Sequence, residues 1–350
     1  MIKSYVDVTH DFSFAIASID LLVREFEYFI TNKTVVVGGH RLARYIDHSN
    51  GPRPESYRED FENAKDFATE EERQNFYAEC KAGGESGMDF SSRWFITEKG
   101  DNLGHIKDLK TRSVIPVELN AILYWNANII AEFYGHAGKK DKQKEFEDKA
   151  QEILIVSLLS FPWLLSIIYL YGFSHFTFFV IILKAVNEIL WDESLGSWLD
   201  YDLINQKLRP YFTPTNLSPL WTKCFNQSES GPITDKILHY INQTGIDDYP
   251  GGVPNTLYPS GEQWDFPNVW APMQYILIYG LENLNDERAS LLASRWAERW
   301  VQSNYVSFRE SGAMFEKYIA TEFGASGGGG EYEVQKGLSR GENFLQEREK

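Results

Sequence analysis

Apolar residues recur three and four positions apart along most of this chain, and a chain written in that period must bury its stripes as helices packed on one another. Residues 13–30 (SFAIASIDLLVREFEYFI), 116–134 (PVELNAILYWNANIIAEFY) and 286–307 all carry the spacing, the last through Ala289, Ala293, Trp296, Ala297 and Trp300. Pro116 suits the first position of a helix, and Asn285 or Asp286 can cap the third. Long loops rich in Gly, Pro and Asn lie between, at 49–56, 83–93, 210–219, 248–270 and 324–331. Short helices with elaborate loops on one side point to an all-α chain, an α/α toroid whose loops carry the site. No Pro/Ser linker divides it, so residues 1–350 are expected to form one domain.

One segment departs from this pattern. Ile153 to Leu183 is a run of 31 residues without Lys, Arg, Asp or Glu. Its length and composition meet the requirement for a membrane-spanning helix, with Pro162 and Gly172 tolerable as kinks. A buried hairpin of two short helices broken near Gly172 satisfies the same pattern. A span in the middle of one toroid would place its halves on opposite sides of a bilayer, which weighs against the membrane reading.

Charge narrows the partners. Fifty acidic against 34 basic residues give a net charge of -16, and a chain so acidic lacks the basic face that nucleic acid requires. Aromatics at 15% suggest stacking surfaces beyond a plain core, which suits a neutral, hydroxyl-rich ligand. Cys80 and Cys224 leave one bridge or two thiols equally open. Asn-x-Ser/Thr sequons at Asn32, Asn216, Asn226 and Asn242 favour a secretory route, whereas the charged N-terminus shows no signal peptide. A secreted or membrane-associated protein is expected, with a cytoplasmic one still open.

Metal, nucleotide and serine-nucleophile motifs are absent. The seven histidines form no HExxH, the GGGG at 327–330 lacks a following Lys-Ser/Thr, and no serine lies in GxSxG. No metal or cofactor is expected. What remains are carboxylates in Gly- and aromatic-rich loops. GGESGMDFSSRWF at 83–95 holds Glu85 and Asp89 near Arg93 and Trp94, either as reactive acids or as acids that cap helices or pair with Arg93. GPRPESY at 51–57 holds Arg53 and Glu55 with two prolines, either as part of a site or as a surface turn. FEKYIATEFGASGGGGEYEVQ surrounds its glycines with Glu316, Glu331 and Glu333, the glycines reading as backbone brought close to a ligand. GEQWDFPNVWAP at 261–272 sets Asp265 between Trp264 and Phe266, with Trp270 beyond. A carboxylate among aromatics is costly in a core and useful at a sugar, where it accepts hydroxyl hydrogen bonds while rings cover the apolar face. Two separated acids with aromatic walls are the equipment of glycoside hydrolysis.

QWDFPNVWAP resembles the Gln-Trp-Asp-x-Pro-x-x-Trp-x-Pro signature of the α,α-trehalase family, glycoside hydrolase family 37. ESGMDFSSRW, PRPESYRED, TRSVIPVELNAILY, SWLDYDL, FTPTNLSPLW, PGGVPNTL and EKY followed by GGGGEYEVQ are also similar to it, in the family's order, across residues 11–335. The resemblance implies an (α/α)6 toroid and inverting hydrolysis of trehalose to two glucoses. It implies Asp89 as general acid and Glu316 as general base, standing roughly 6.5 to 9.5 Å apart, with the acid's pKa raised. It implies sugar contacts at Arg53, Pro54, Glu55, Gly87 and Glu331, and places Trp264, Asp265 and Trp270 near the ligand.

Several family features are missing. The Pro-Gly-Gly-Arg-Phe and Asn-Arg-Ser-Gln segments are absent, Met88 stands where the family has tryptophan, and KGLSRGENFLQEREK replaces the expected Gly-Phe-Gly-Trp segment. The run at 153–183 has no family counterpart. A toroid incomplete at its N-terminus is therefore expected, from a truncated gene model containing translated intron sequence. A catalytically inactive, trehalase-like sugar-binding protein is the alternative.

Overall fold

The computed structural model describes residues 1–151 and 182–328. The architecture is helical, in keeping with the period of the sequence. In chain order the helices are α1 (Ile2–Thr9), α2 (Phe12–Asn32), α3 (Tyr57–Ala64), α4 (Glu70–Ser86), α5 (Val117–His136), α6 (Lys140–Gln151), α7 (Ile182–Ile189), α8 (Ser218–Thr222), α9 (Ser230–Thr244), α10 (Ala271–Glu282) and α11 (Glu287–Ser311). Strands are short: β1 (Thr34–Val37) pairs antiparallel with β2 (His40–Ala43), and β3 (Asn268–Trp270) with β4 (Lys317–Ile319). The three expected helices correspond to α2, α5 and α11. The cap of α11 is Asp286, whose carboxylate accepts from the Arg288 amide. Loop 83–93 is shorter than its glycines suggest, because α4 continues through Gly83 and Gly84 to Ser86.

The chain divides into two compact units. One comprises Met1–Arg44 and Glu118–Trp191. Ala15, Ile19 and Phe26 form the buried stripe of α2, and the Phe26 ring meets Phe146 of α6 edge-on at 5.7 Å. The Asn120 amide donates to the Ala43 carbonyl and accepts from its N–H, so a side chain on α5 closes the β2 edge. Most of the apolar run at 153–183 lies outside the described residues. Among the described residues no helix is long and apolar enough to cross a membrane.

The other unit comprises Tyr45–Val117 and Asp192–Lys350. It holds α3, α4 and α8–α11 around a core that includes Trp94, Phe95, Trp198, Leu217, Leu277 and Trp296, each almost fully buried. Gly280 lets α10 approach α8: a Cβ there would sit 3.2 Å from Leu220 Cβ. Cys80 and Cys224 are buried thiols and do not share a disulfide. Of the four sequons, Asn216 is buried with its amide donating to the Tyr211 carbonyl and the Tyr240 hydroxyl, so it is unavailable for glycosylation; Asn32, Asn226 and Asn242 are exposed.

Candidate active site

In the second unit one buried arginine, Arg53, links Asp60 to the candidate acid Asp89. Arg53 is 1% exposed. Its backbone N–H and two sides of its guanidinium donate to Asp60, in the first turn of α3, at 2.8 to 3.0 Å. That leaves NH1, which donates to Asp89 Oδ2 at 3.0 Å, while the Phe90 ring lies 4.5 Å below the guanidinium. Asp60 thus orients Arg53, and Arg53 aims the Asp89 carboxyl.

Asp89 reaches this position through the end of α4. Gly87 terminates the helix in the left-handed region at φ 72°, which favours glycine, and turns the chain towards Met88 and Asp89. Burial pushes the Asp89 carboxyl above its usual range; Arg53 opposes the shift, and the negative charge of Glu55 adds to it. Glu55 and Arg53 both face Gly84, where a Cβ would stand 3.8 Å from Glu55 Oε1 and 3.5 Å from Arg53 Cδ. Pro54, Glu55 and Gly87 are exposed at the mouth of this cluster. A cavity lined by Met88, Arg93, Asn255, Thr256 and Trp264 amounts to only about 10 Å³, roughly one water.

Glu85 and Arg93 take other partners than those expected. Glu85 accepts from the Ile46 amide at 3.1 Å, and Arg93 forms a buried two-pronged pair with Asp200 at 2.7 and 2.8 Å. Asp200 also accepts from the amide of Val117, the first residue of α5, at 3.0 Å.

The loop at 263–270 is joined to the acid loop. The Trp264 amide donates to the Phe90 carbonyl at 3.2 Å, and the Trp264 and Trp270 rings stack 3.8 Å apart at 6°, each less than a tenth exposed. Asp265 corrects a prediction. Its carboxylate has no exposed surface and accepts from Ser91 Oγ (2.8 Å), Ser92 N (2.6 Å), Ser92 Oγ (2.9 Å), Thr256 Oγ1 (2.9 Å) and Ser260 Oγ, so it binds its own loops and has no free face for a sugar. The aromatic surroundings that suggested a ligand contact instead exclude water from a fully satisfied carboxylate.

Glu316 stands half-buried directly before β4. The next residue, Lys317, is 1% exposed; its Nζ donates to Gln263 Oε1 at 3.0 Å and lies 5.4 Å from the Trp270 ring. Gln263 Nε2 donates to the Asp89 carbonyl at 2.5 Å. Gly327 lets its strand-like segment close on β3 and β4: a Cβ would lie 2.6 Å from Asn268 Oδ1 and 3.0 Å from the Tyr318 carbonyl. Close approach is therefore to the protein's own backbone at this glycine. Glu331 and Glu333 lie outside the described residues. Among the described residues no group of three or more His, Cys, Asp or Glu could hold a metal ion. Asp60, Gln263 and Lys317 fall inside the quoted segments PRPESYRED, QWDFPNVWAP and EKY but were given no role there, because the sequence does not show which partners they take.

The profile of the Trehalase family matches residues 1–155 and 181–339. Trehalases of Apis mellifera and Pimpla hypochondriaca are each 42% identical over 97% of this chain, covering 50% and 53% of their own lengths, and that of Homo sapiens is 37% identical over 97% of this chain and 53% of its own. The chain spans about half the length of these relatives. Among solved structures, the neutral trehalase of Saccharomyces cerevisiae superposes with a TM-score of 0.56 at 19% identity, covering 87% of this chain and 53% of that one, which establishes a shared (α/α)6 fold class.

Proposed function

The chain belongs to the trehalase family, and from that premise we propose that it hydrolyses α,α-trehalose to two glucoses with inversion, using Asp89 as general acid and Glu316 as general base. The observation that carries the proposal is the state of Asp89. An acid must hold its proton until the leaving oxygen needs it, and burial beside Glu55 raises this carboxyl in the required direction. Arg53 limits the rise and fixes the carboxyl's aim. Asp89 gives its proton to the glycosidic oxygen as the C–O bond breaks; Glu316 takes a proton from the water that attacks the opposite face of the same carbon. The space between the two carboxyls should be roughly 6.5 to 9.5 Å.

The exposed rim formed by Pro54, Glu55 and Gly87, with Arg53 behind it, supplies sugar contacts. The Trp264–Trp270 stack forms the wall, and Glu331 is a further contact in this reading. Asp265 acts through others, as the post that holds the Ser91–Ser92 turn against the 256–265 loop. A secretory location is supported by the exposed sequons at Asn32, Asn226 and Asn242.

Trehalose hydrolysis by the wild type, Asp89→Ala and Glu316→Ala tests the assignment. Each substitution should lower turnover by at least about a hundredfold, and equal rates in all three proteins would overturn it. The departures from the family pattern at Met88 and around 336–350 favour one second reading, an inactive sugar-binding protein. Calorimetry showing trehalose bound without turnover would support that reading instead.

A further inference from the structure

We infer that Gln263 and Lys317 form a buried brace that sets the spacing between the proton donor Asp89 and the base Glu316; this rests on the roles proposed above. Gln263 is 4% and Lys317 1% exposed, so neither is available to bulk water. The two neighbours of the Gln263 amide fix which way round it sits. An ammonium can only donate, so Lys317 Nζ requires Oε1; a carbonyl can only accept, so Asp89 requires Nε2. The Gln263 backbone carbonyl is occupied as well, accepting from Trp270 Nε1 at 2.9 Å and Asn268 Nδ2 at 3.0 Å.

The path therefore runs from Lys317, the residue after Glu316, through one amide to the main chain of Asp89. Both ends are anchored: β4 is paired to β3, and the acid loop is held by Arg53 below and Trp264 above. A buried chain of hydrogen bonds headed by a charge polarises each link in turn, so the ammonium strengthens the bond to the Asp89 carbonyl. In an inverting reaction the gap between the two carboxyls must fit both a glycosidic oxygen and a water. A brace between their backbones is a direct means of holding that gap.

Gln263→Glu keeps the length and the Lys317 partner but loses, when ionised, the N–H that the Asp89 carbonyl accepts. Lys317→Met keeps the length and loses the ammonium. Each should lower kcat by about tenfold to a hundredfold, the scale of a displacement near 1 Å at a reacting centre, with little change in KM. Because the two act as one device, the double variant should be no slower than the slower single one. A wild-type kcat in Gln263→Glu, or effects that multiply in the double variant, would overturn the brace. A second readout needs no turnover. Lys317→Met should reduce hydrogen-exchange protection at the Ser92 and Trp264 amides, which Lys317 does not touch, and unchanged protection there would overturn the inference. If the wild-type chain does not hydrolyse trehalose, the assignment of Asp89 and Glu316 fails, while the exchange experiment still decides whether the brace exists.

Discussion

Asp265 is a buried carboxylate held by four hydroxyls and one amide N–H. Removing it leaves four hydroxyls and the Ser92 N–H to find new partners in a dry site, and each buried group left unsatisfied costs about 1 to 3 kcal/mol. Asp265→Ala should therefore lower stability by about 3 kcal/mol or more in denaturant unfolding; a loss of sugar affinity at unchanged stability would restore Asp265 to the ligand. Asp89 should behave in the opposite way. Its folded pKa lies above the ordinary 3.8, so the stability linked to its protonated form is fully present below the unfolded value and is lost as pH rises through the folded one. Asn at this position suffers no such loss, and Arg53 keeps its pair with Asp60. The melting temperature of Asp89→Asn minus that of the wild type should become more positive from acid to neutral pH, and a difference that is flat or falls with pH would contradict the raised value. Nothing local in the sequence separates these two aspartates. Both lie among glycines and aromatics, and the partners that distinguish them lie as far as 36 positions away for Asp89 and 174 for Asp265.

At the scale of elements, the long helices were legible because burial repeats within each one: Ala15 and Ile19 on α2, or Ala289, Ala293 and Trp296 on α11, report the buried face directly. The β3–β4 pair was not legible. Each strand has three residues, too few for an alternating pattern, and their pairing is set by contacts that cross the chain from 268 to 319. Gly251 shows how tightly that pair is seated. Its N–H donates to the Ala320 carbonyl at 2.8 Å, and a Cβ would fall 1.9 Å from the Ile319 carbonyl oxygen, a backbone atom that cannot rotate away. Gly251→Ala must push β4 aside, and with it the Glu316–Lys317 step. The expected result is a loss of stability of about 1 to 3 kcal/mol, as for an overpacked core, together with reduced kcat. A variant that matched the wild type in both unfolding and turnover would show that β4 has slack this packing does not reveal.

At the scale of the whole chain, membership of the family and the (α/α)6 class were legible because many motifs fall in one order; the apolar run was ambiguous because one composition fits a bilayer, a core or a foreign insertion. The family profile resolves part of this by matching up to residue 155 and resuming at 181. The flanking elements are α6, ending at Gln151, and α7, starting at Ile182, and they pack against each other within the first unit. Two helices already in contact need only a short connection, commonly 2 to 8 residues. Excising 156–180 leaves residues 152–155 and 181 between them, a length within that range. The excised chain should therefore fold with a melting temperature no lower than that of the full chain, and any trehalose turnover of the full chain should persist. It should also become easier to extract in alkaline carbonate if the run contributes membrane affinity. A chain that loses cooperative unfolding on excision would show instead that the run supplies core to the first unit, and the absence of a family counterpart would then mark an acquired structural element.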